Sequence, residues 1–200
     1  MIQSLIRLPN KLPLSKSIWK LKWKFSRSYD FYTDLCSRES SNNQWIENKK
    51  TRCIGLYQIG EMALADIGYY SKKSPAGVEK DIQYNNDWTG IWLGKNAINC
   101  KESFLNNREI QNIAIREYHR KVWDEYLKHY QHYQGKIIAD IILSKAGMIA
   151  ASHLVGFGKL IEFIESNGKM NPRDEFGTKC TEYLGSFSDP KYLNGLSFFK

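Results

Sequence analysis

The chain lacks any apolar run long enough to cross a bilayer. Among its 200 residues, the charge-free stretch Ala146 to Gly158 falls short of the roughly eighteen apolar residues a span needs, and it holds His153. No transmembrane segment is therefore expected. Cysteine is sparse: Cys36, Cys53, Cys100 and Cys180 form no Cys-x-x-Cys pair and show no metal-ligand spacing. They permit three disulfide pairings, a Cys36 to Cys53 bridge among them. His129 and His132 could touch one metal at i, i+3, but there is no third ligand and no His-Glu-x-x-His, so they read as exposed polar residues. Neither metal nor cofactor is expected. Gly-x-Ser-x-Gly and Gly-x-x-x-x-Gly-Lys are absent, and Gly156-Phe157-Gly158 lacks the third glycine of a dinucleotide turn. Those absences argue against a serine-hydrolase elbow, a phosphate loop and a nucleotide fold. Met1 to Phe25 is basic, broken by Pro9 and Pro13, and carries neither an unbroken apolar core nor a cleavage site, so export would use a route other than a secretory signal. No internal repeat is visible.

What is present suits one folded domain. An apolar fraction of 42% with 14% aromatics is ample for a core at this length, and 29 Lys and Arg against 21 Asp and Glu give a net charge of +8, which favours anionic partners. We divide the chain into a basic N-terminal arm or strand, 1–27, and a domain over 28–200. In the arm, Trp19-Lys20-Leu21-Lys22-Trp23-Lys24-Phe25 alternates apolar and cationic residues with period two. That pattern reads as an edge strand guarded by lysines, or as a strip for an anionic surface.

The periodicities give a mainly α fold with a small irregular or β-containing excursion. A first helix runs from about Ser28 to Glu39, and a short one from about Ile59 to Ile67 is ended by Gly68. Residues 71–101, with Trp88 and Trp92 among glycines and asparagines, form the excursion. The longest helix spans about Asn107 to His132, with Ile110, Ala114, Tyr118, Val122 and Tyr126 on one face. Ser144 caps a helix carrying Met148, Ile149 and Leu154. After Gly156 another helix stops near Gly168, and Thr178 opens a last one through Tyr183 and Leu184.

Glu39 stands out in this scheme. Phe31, Leu35 and Glu39 lie at i, i+4, i+8, so the core-facing stripe of the first helix ends in an acid. Partial burial and a helix C-terminus both disfavour its charge, which would favour a protonated carboxyl able to donate to a glycosidic oxygen. The competing reading is a helix-ending glutamate in solvent, or one paired with Arg38 or Arg52.

In order, Arg38-Glu39-Ser40-Ser41, Gly55-Leu56-Tyr57-Gln58, the segment Ala150-Ala151-Ser152-His153-Leu154-Val155-Gly156-Phe157-Gly158, and Tyr183 resemble the soluble lytic transglycosylases and the wider lysozyme-like superfamily. That family has a catalytic Glu-Ser pair, a Gly-Leu-Met-Gln turn, an Ala-Tyr-Asn-Ala-Gly-x-Gly segment and a late tyrosine. The resemblance covers roughly Ser28 to Tyr70 and Ser144 to Phe187. Tyr57 replaces the usual methionine, and His153-Leu154 replaces the Tyr-Asn pair, so the asparagine amide near the reaction centre is missing.

The resemblance implies an α+β lysozyme-like domain over 28–200 that cleaves the MurNAc-GlcNAc β-1,4 bond of peptidoglycan, with Glu39 as acid and base. It implies Ser40, Tyr57, Gln58, His153 and Tyr183 as substrate-binding residues, and action in the periplasm or cell wall. The partners it implies are peptidoglycan glycan strands and, for a toxin, an immunity or inhibitor protein. A hydrolytic muramidase would usually need a second carboxylate, about 5 Å away as a nucleophile or roughly 6.5–9.5 Å away to activate water. Glu61 is the candidate for that role, although it falls opposite Ile59, Met62 and Ala63 on a helical wheel and so reads as a solvated or structural acid before a catalytic one. Glu47, in a polar loop, is weaker. A glycan-binding module without catalysis is the other alternative. Nucleic-acid binding through Lys20, Lys22 and Lys24 lacks a supporting module, and no nucleic-acid partner is expected.

Overall fold

Asp30 sets where the first helix begins: its carboxylate accepts from the backbone N–H groups of Tyr32 and Thr33, satisfying donors that a helix start leaves orphaned. We describe residues 30–72 and 85–192 of a computed structural model. The arm 1–27 and its lysines lie outside the described residues, as do the middle of the excursion and the last eight residues.

Helix α1 (Phe31–Ser40) buries Phe31, Leu35 and Cys36 on the face the spacing predicts, and it ends at Ser41 in the left-handed conformation. Each fully buried Phe or Leu stabilises the packing by roughly 1.5–3 kcal/mol. The chain then returns through a loop whose bridge, Ile54 to Ile59, encloses Gly55-Leu56-Tyr57-Gln58. Gly55 is required there. Its φ is +76°, and a Cβ would collide with the Gln111 side chain. Helix α2 (Glu61–Asp66) follows, and the excursion contributes β1 (Tyr70–Ser71) paired antiparallel with β2 (Ile91–Trp92).

After α3 (Lys101–Leu105), Asn107 caps α4 (Arg108–Lys121) by accepting from Ile110 N–H at 3.1 Å. The expected long helix changes pitch instead of ending: it widens to a π turn over Val122–Tyr126 and tightens to 3-10 geometry over Lys128–Tyr133. A hairpin of β3 (Ile137–Ile138) and β4 (Ile141–Ile142) comes next. Its turn, Ala139-Asp140, has positive φ at both residues. Glycine is absent from both positions, so no Asn-Gly or Asp-Gly pair marks the turn in sequence.

Helix α5 (Lys145–Val155) is the central element. Ser144 caps it through Gly147 N–H at 3.0 Å, and its residues Ala146 to Ser152 are all buried. It packs against α6 (Phe157–Glu165), which leaves it at a bend of 119°, and against α7 (Cys180–Phe187). Gly147 permits the α7 contact, since a Cβ would lie 2.9 Å from Leu184 O. The fold is thus mainly helical, with two small two-stranded sheets among the described residues. Among the described residues no single helix is long and apolar enough to cross a membrane. All four cysteines are free, so the Cys36 to Cys53 bridge does not form: Cys36 Sγ donates to Asn42 Oδ1 at 2.8 Å.

Candidate functional site

Glu39, one residue before the end of α1, lies beside a cleft of about 690 Å³. The cleft is bounded by the end of α1, Gln58, the C-terminal end of α5, Lys159 of α6, the segment Arg173 to Thr178, and Tyr183 of α7. The Glu39 side chain is 14% exposed. One of its oxygens is held: the Tyr183 hydroxyl donates to Oε1 at 2.6 Å, and His153 Nε2 lies 3.9 Å from the same atom. Among the described residues nothing donates to Oε2. Glu39 pairs with neither arginine considered above. Arg52 binds Glu47 at 2.7 Å, and the Arg38 guanidinium sits 4.0 Å over the Tyr183 ring. Burial, and after it the Glu39 charge, push the Tyr183 hydroxyl well above its ordinary range, so it remains a donor.

The residues expected to contact substrate separate into two groups. Gln58, His153 and Tyr183 line the cleft with Glu39. Gln58 holds a positive φ of 46°, and its amide donates to Gly55 O at 3.0 Å. Ser40 and Tyr57, by contrast, are turned into the core. The Ser40 hydroxyl donates to Cys36 O and, at 2.8 Å, to Leu56 O, which ties α1 to the turn. The Tyr57 hydroxyl donates to Asn112 Oδ1 at 2.7 Å, and only the Tyr57 carbonyl approaches the cleft side, where it accepts from His153 Nε2 at 2.8 Å. Both are therefore builders of the site rather than contacts for a ligand.

Glu61 also departs from its expected place. It is 0% exposed, while Met62 beside it is half exposed, so the wheel is rotated relative to the sequence reading. Its carboxylate accepts from the Tyr70 hydroxyl (2.9 Å), from Asn86 N–H (3.1 Å) and from Trp88 N–H, and it pairs with Lys72 at 3.4 Å. Such a carboxylate pins the β1–β2 excursion and does not line the cleft. Glu47 does not line it either: ion pairs to Lys101 and Arg52 hold its carboxyl below the usual range.

Comparison with protein-family models, with curated proteins and with solved structures finds no match for this chain. The site has to be read from its own geometry.

That geometry includes groups the sequence did not single out. Arg173 to Phe176 form the wall facing Glu39; Asp174 Oδ1 accepts from Phe176 N–H and Thr178 N–H, which folds the segment over, and Phe176 is 60% exposed with the Lys50 ammonium 5.0 Å above its ring. No motif marks this loop. Gln111 of α4 is 2% exposed and locks the turn from behind: its Oε1 accepts from Leu56 N–H at 2.7 Å, and its amide donates to the carbonyls of Gln44, Phe104 and Leu105. His119, wholly within α4, reaches His153 Nδ1 with its Nε2 at 3.2 Å. A histidine on the buried stripe Ile115, His119, Val122 was a readable signal. His129 and His132 lie exposed on the 3-10 stretch, and among the described residues no group of three His, Cys, Asp or Glu is placed to hold a metal ion.

Chemically, the cleft offers one carboxylate with a clamped oxygen and an open one, bordered by cations Arg38, Lys159 and Arg173 and by the acids Asp174 and Glu175. It is mixed in charge and mostly polar, which suits a hydrated, hydroxyl-rich ligand better than an apolar one.

Proposed function

We propose that the chain cleaves peptidoglycan glycan strands at the MurNAc-GlcNAc β-1,4 bond by a lytic transglycosylase-type mechanism, with Glu39 as general acid and then general base. The observation that carries the reading is the Glu39 carboxyl in an open cleft with Oε1 held by Tyr183 and Oε2 left to a ligand. In the first step the Glu39 proton passes to the bridging oxygen, the C1–O bond of the muramyl residue breaks, and the GlcNAc side leaves as an alcohol. An oxocarbenium-like centre develops at C1. Glu39, now ionised, takes the proton of the muramyl C6 hydroxyl, whose oxygen bonds to C1 and closes a 1,6-anhydro ring. One carboxyl serves both steps. The burial of Glu61 away from the cleft supports this reading over one that uses Glu61 as a second acid.

A hydrolytic muramidase is the second reading, and one observation favours it: Glu175 is exposed on the facing wall, with no ion pair among the described residues. It could activate a water. Incubating purified sacculi with the protein and with Glu39→Gln, then weighing the soluble muropeptides by mass spectrometry, separates these readings. Anhydro-muropeptides from the wild type alone support the transglycosylase, and reducing-end products that vanish in Glu175→Gln support the hydrolase. Tight pelleting with sacculi and no release by either protein leaves a binding module. Undiminished release by Glu39→Gln overturns the role of Glu39.

A further inference from the structure

His119 is 1% exposed and enclosed by aromatic rings: Phe31 meets it edge-on at 6.0 Å, Tyr32 stacks at 5.7 Å, and Tyr118 lies at 6.1 Å. Among the described residues its Nδ1 has no hydrogen-bond partner, and it is shut off from solvent. A buried nitrogen in that state is rarely tolerated without a reason elsewhere. The reason follows from a short chain of hydrogen bonds whose directions are forced.

The chain starts at the Tyr57 carbonyl, which can only accept. His153 Nε2, 2.8 Å away, must therefore carry a proton. In the neutral ring that leaves His153 Nδ1 bare, so it accepts from His119 Nε2 at 3.2 Å, which carries the next proton. His119 Nδ1 is then bare as well, matching its lack of a partner. Burial, with His153 and Arg116 adding to it, holds His119 well below the ordinary imidazole range and keeps it neutral. Every direction agrees. The reverse arrangement would put a proton on His119 Nδ1 with nothing to receive it, and would set the His153 Nε2 lone pair against the Tyr57 carbonyl.

We propose that His119 is a positioning residue that fixes the His153 proton on Nε2, and thereby fastens the Gly55-Leu56-Tyr57-Gln58 turn beside Glu39. His153 Nε2 lies 2.8 Å from the carbonyl of that turn and 3.9 Å from Glu39 Oε1, so one N–H sets the spacing between the turn and the acid. Without His119 only the Tyr57 carbonyl holds the Nε2–H tautomer, and the bare His153 Nδ1 is stranded without a donor, which favours the other tautomer at the expense of the carbonyl hydrogen bond. The consequence for cleavage rests on the function proposed above; the tautomer itself does not.

Imidazole ¹⁵N–¹H spectra of the full chain at pH 7.5 test it. In the wild type, His153 and His119 should both appear as the Nε2–H tautomer, with His119 Nδ1 at the shift of a bare, unbonded nitrogen. His119→Gln, which keeps an N–H donor near the same place, should retain the His153 tautomer and cleave sacculi at close to the wild-type rate. His119→Leu should mix the His153 tautomers and lower kcat by about tenfold or more with little change in KM, as expected for a misplaced catalytic group. A wild-type His153 found as Nδ1–H or as imidazolium overturns the proposal, as does a folded His119→Leu with an unaltered tautomer. Should His119→Leu fail to fold, the wild-type and His119→Gln spectra decide the matter. An Nε2–H tautomer in a protein that releases nothing from sacculi would sink the proposed cleavage and leave the dyad standing.

Discussion

The Tyr183 hydroxyl donates to Glu39 Oε1 at 2.6 Å, joining the end of α1 to α7 across 144 positions of chain. The donor fixes the rotamer of the acid, and because the hydroxyl stays protonated it meets the carboxylate as a charge-assisted partner in the second half of the proposed reaction. A hydrogen bond to a charged group contributes about 1.5–3 kcal/mol, so Tyr183→Phe should lower kcat on sacculi by roughly 10- to 100-fold. The ring itself is buried and stays in place, so the melting temperature should move little by comparison. Unchanged turnover in Tyr183→Phe would show that Glu39 needs no such orienter.

Ser40 makes the opposite prediction. Its hydroxyl reaches Leu56 O at 2.8 Å in a fully buried setting and has no route to the cleft. Ser40→Ala should therefore destabilise the fold by about 1–3 kcal/mol, the cost of stranding a buried acceptor, while the folded fraction keeps the wild-type affinity for glycan. Denaturant unfolding and a sacculus pelling-down assay, run on the same preparation, separate the two effects; a large loss of affinity at equal foldedness would restore Ser40 to the binding surface.

The fates of these residues show what the sequence could and could not reveal. The stripe Phe31, Leu35, Glu39 predicted both the helix and the partial burial of its acid, since a period of 3.6 fixes the facing of every member. The cap at Ser144 and the start of the long helix near Asn107 were equally local. Ser40 and Tyr57 could not be placed, because whether a polar side chain beside a turn points to ligand or to core depends on Gln111 and Asn112, which act on the turn across 55 positions of sequence. For Glu61 the structural alternative holds, and its partners were hidden for the same reason. A carboxylate looks solvated on a wheel until Tyr70, Lys72, Asn86 and Trp88 arrive from the excursion to satisfy it. The facing wall at Arg173 to Phe176 carries no periodicity and no motif, so only its tertiary position marks it.

Glu61 offers a direct check on that account. Removing the carboxylate leaves the Tyr70 hydroxyl and the backbone N–H groups of Asn86 and Trp88 without their buried acceptor, while Lys72 keeps its pair with Asp87 at 2.9 Å. Glu61→Ala should cost about 2–4 kcal/mol of stability through those stranded donors, and Glu61→Gln less, because the amide oxygen still accepts. Any loss of cleavage in Glu61→Gln should track the folded fraction measured by circular dichroism. A folded Glu61→Gln without activity would instead return Glu61 to the list of catalytic acids.

His119 carries a pH signature that belongs to stability and not to turnover. Burial first, then His153 and Arg116, depress its folded pKa far below the ordinary value, so the unfolded chain binds a proton there that the folded chain refuses. The stability it supports is present above about pH 6.5, the unperturbed imidazole value, and is lost progressively as pH falls from there toward the depressed folded pKa. Between pH 7.5 and pH 5.5 the loss from this one group should be about 1.4 kcal/mol, the tenfold change in the proton's preference for the unfolded state expressed as free energy. His119→Gln removes the titration and keeps the donor. Its unfolding free energy, measured in urea at both pH values beside the wild type, should therefore fall by about 1.4 kcal/mol less on acidification. Equal pH dependence in the two proteins would mean that His119 accepts a proton in the folded state, which the aromatic cage and its unpartnered Nδ1 give no means of stabilising.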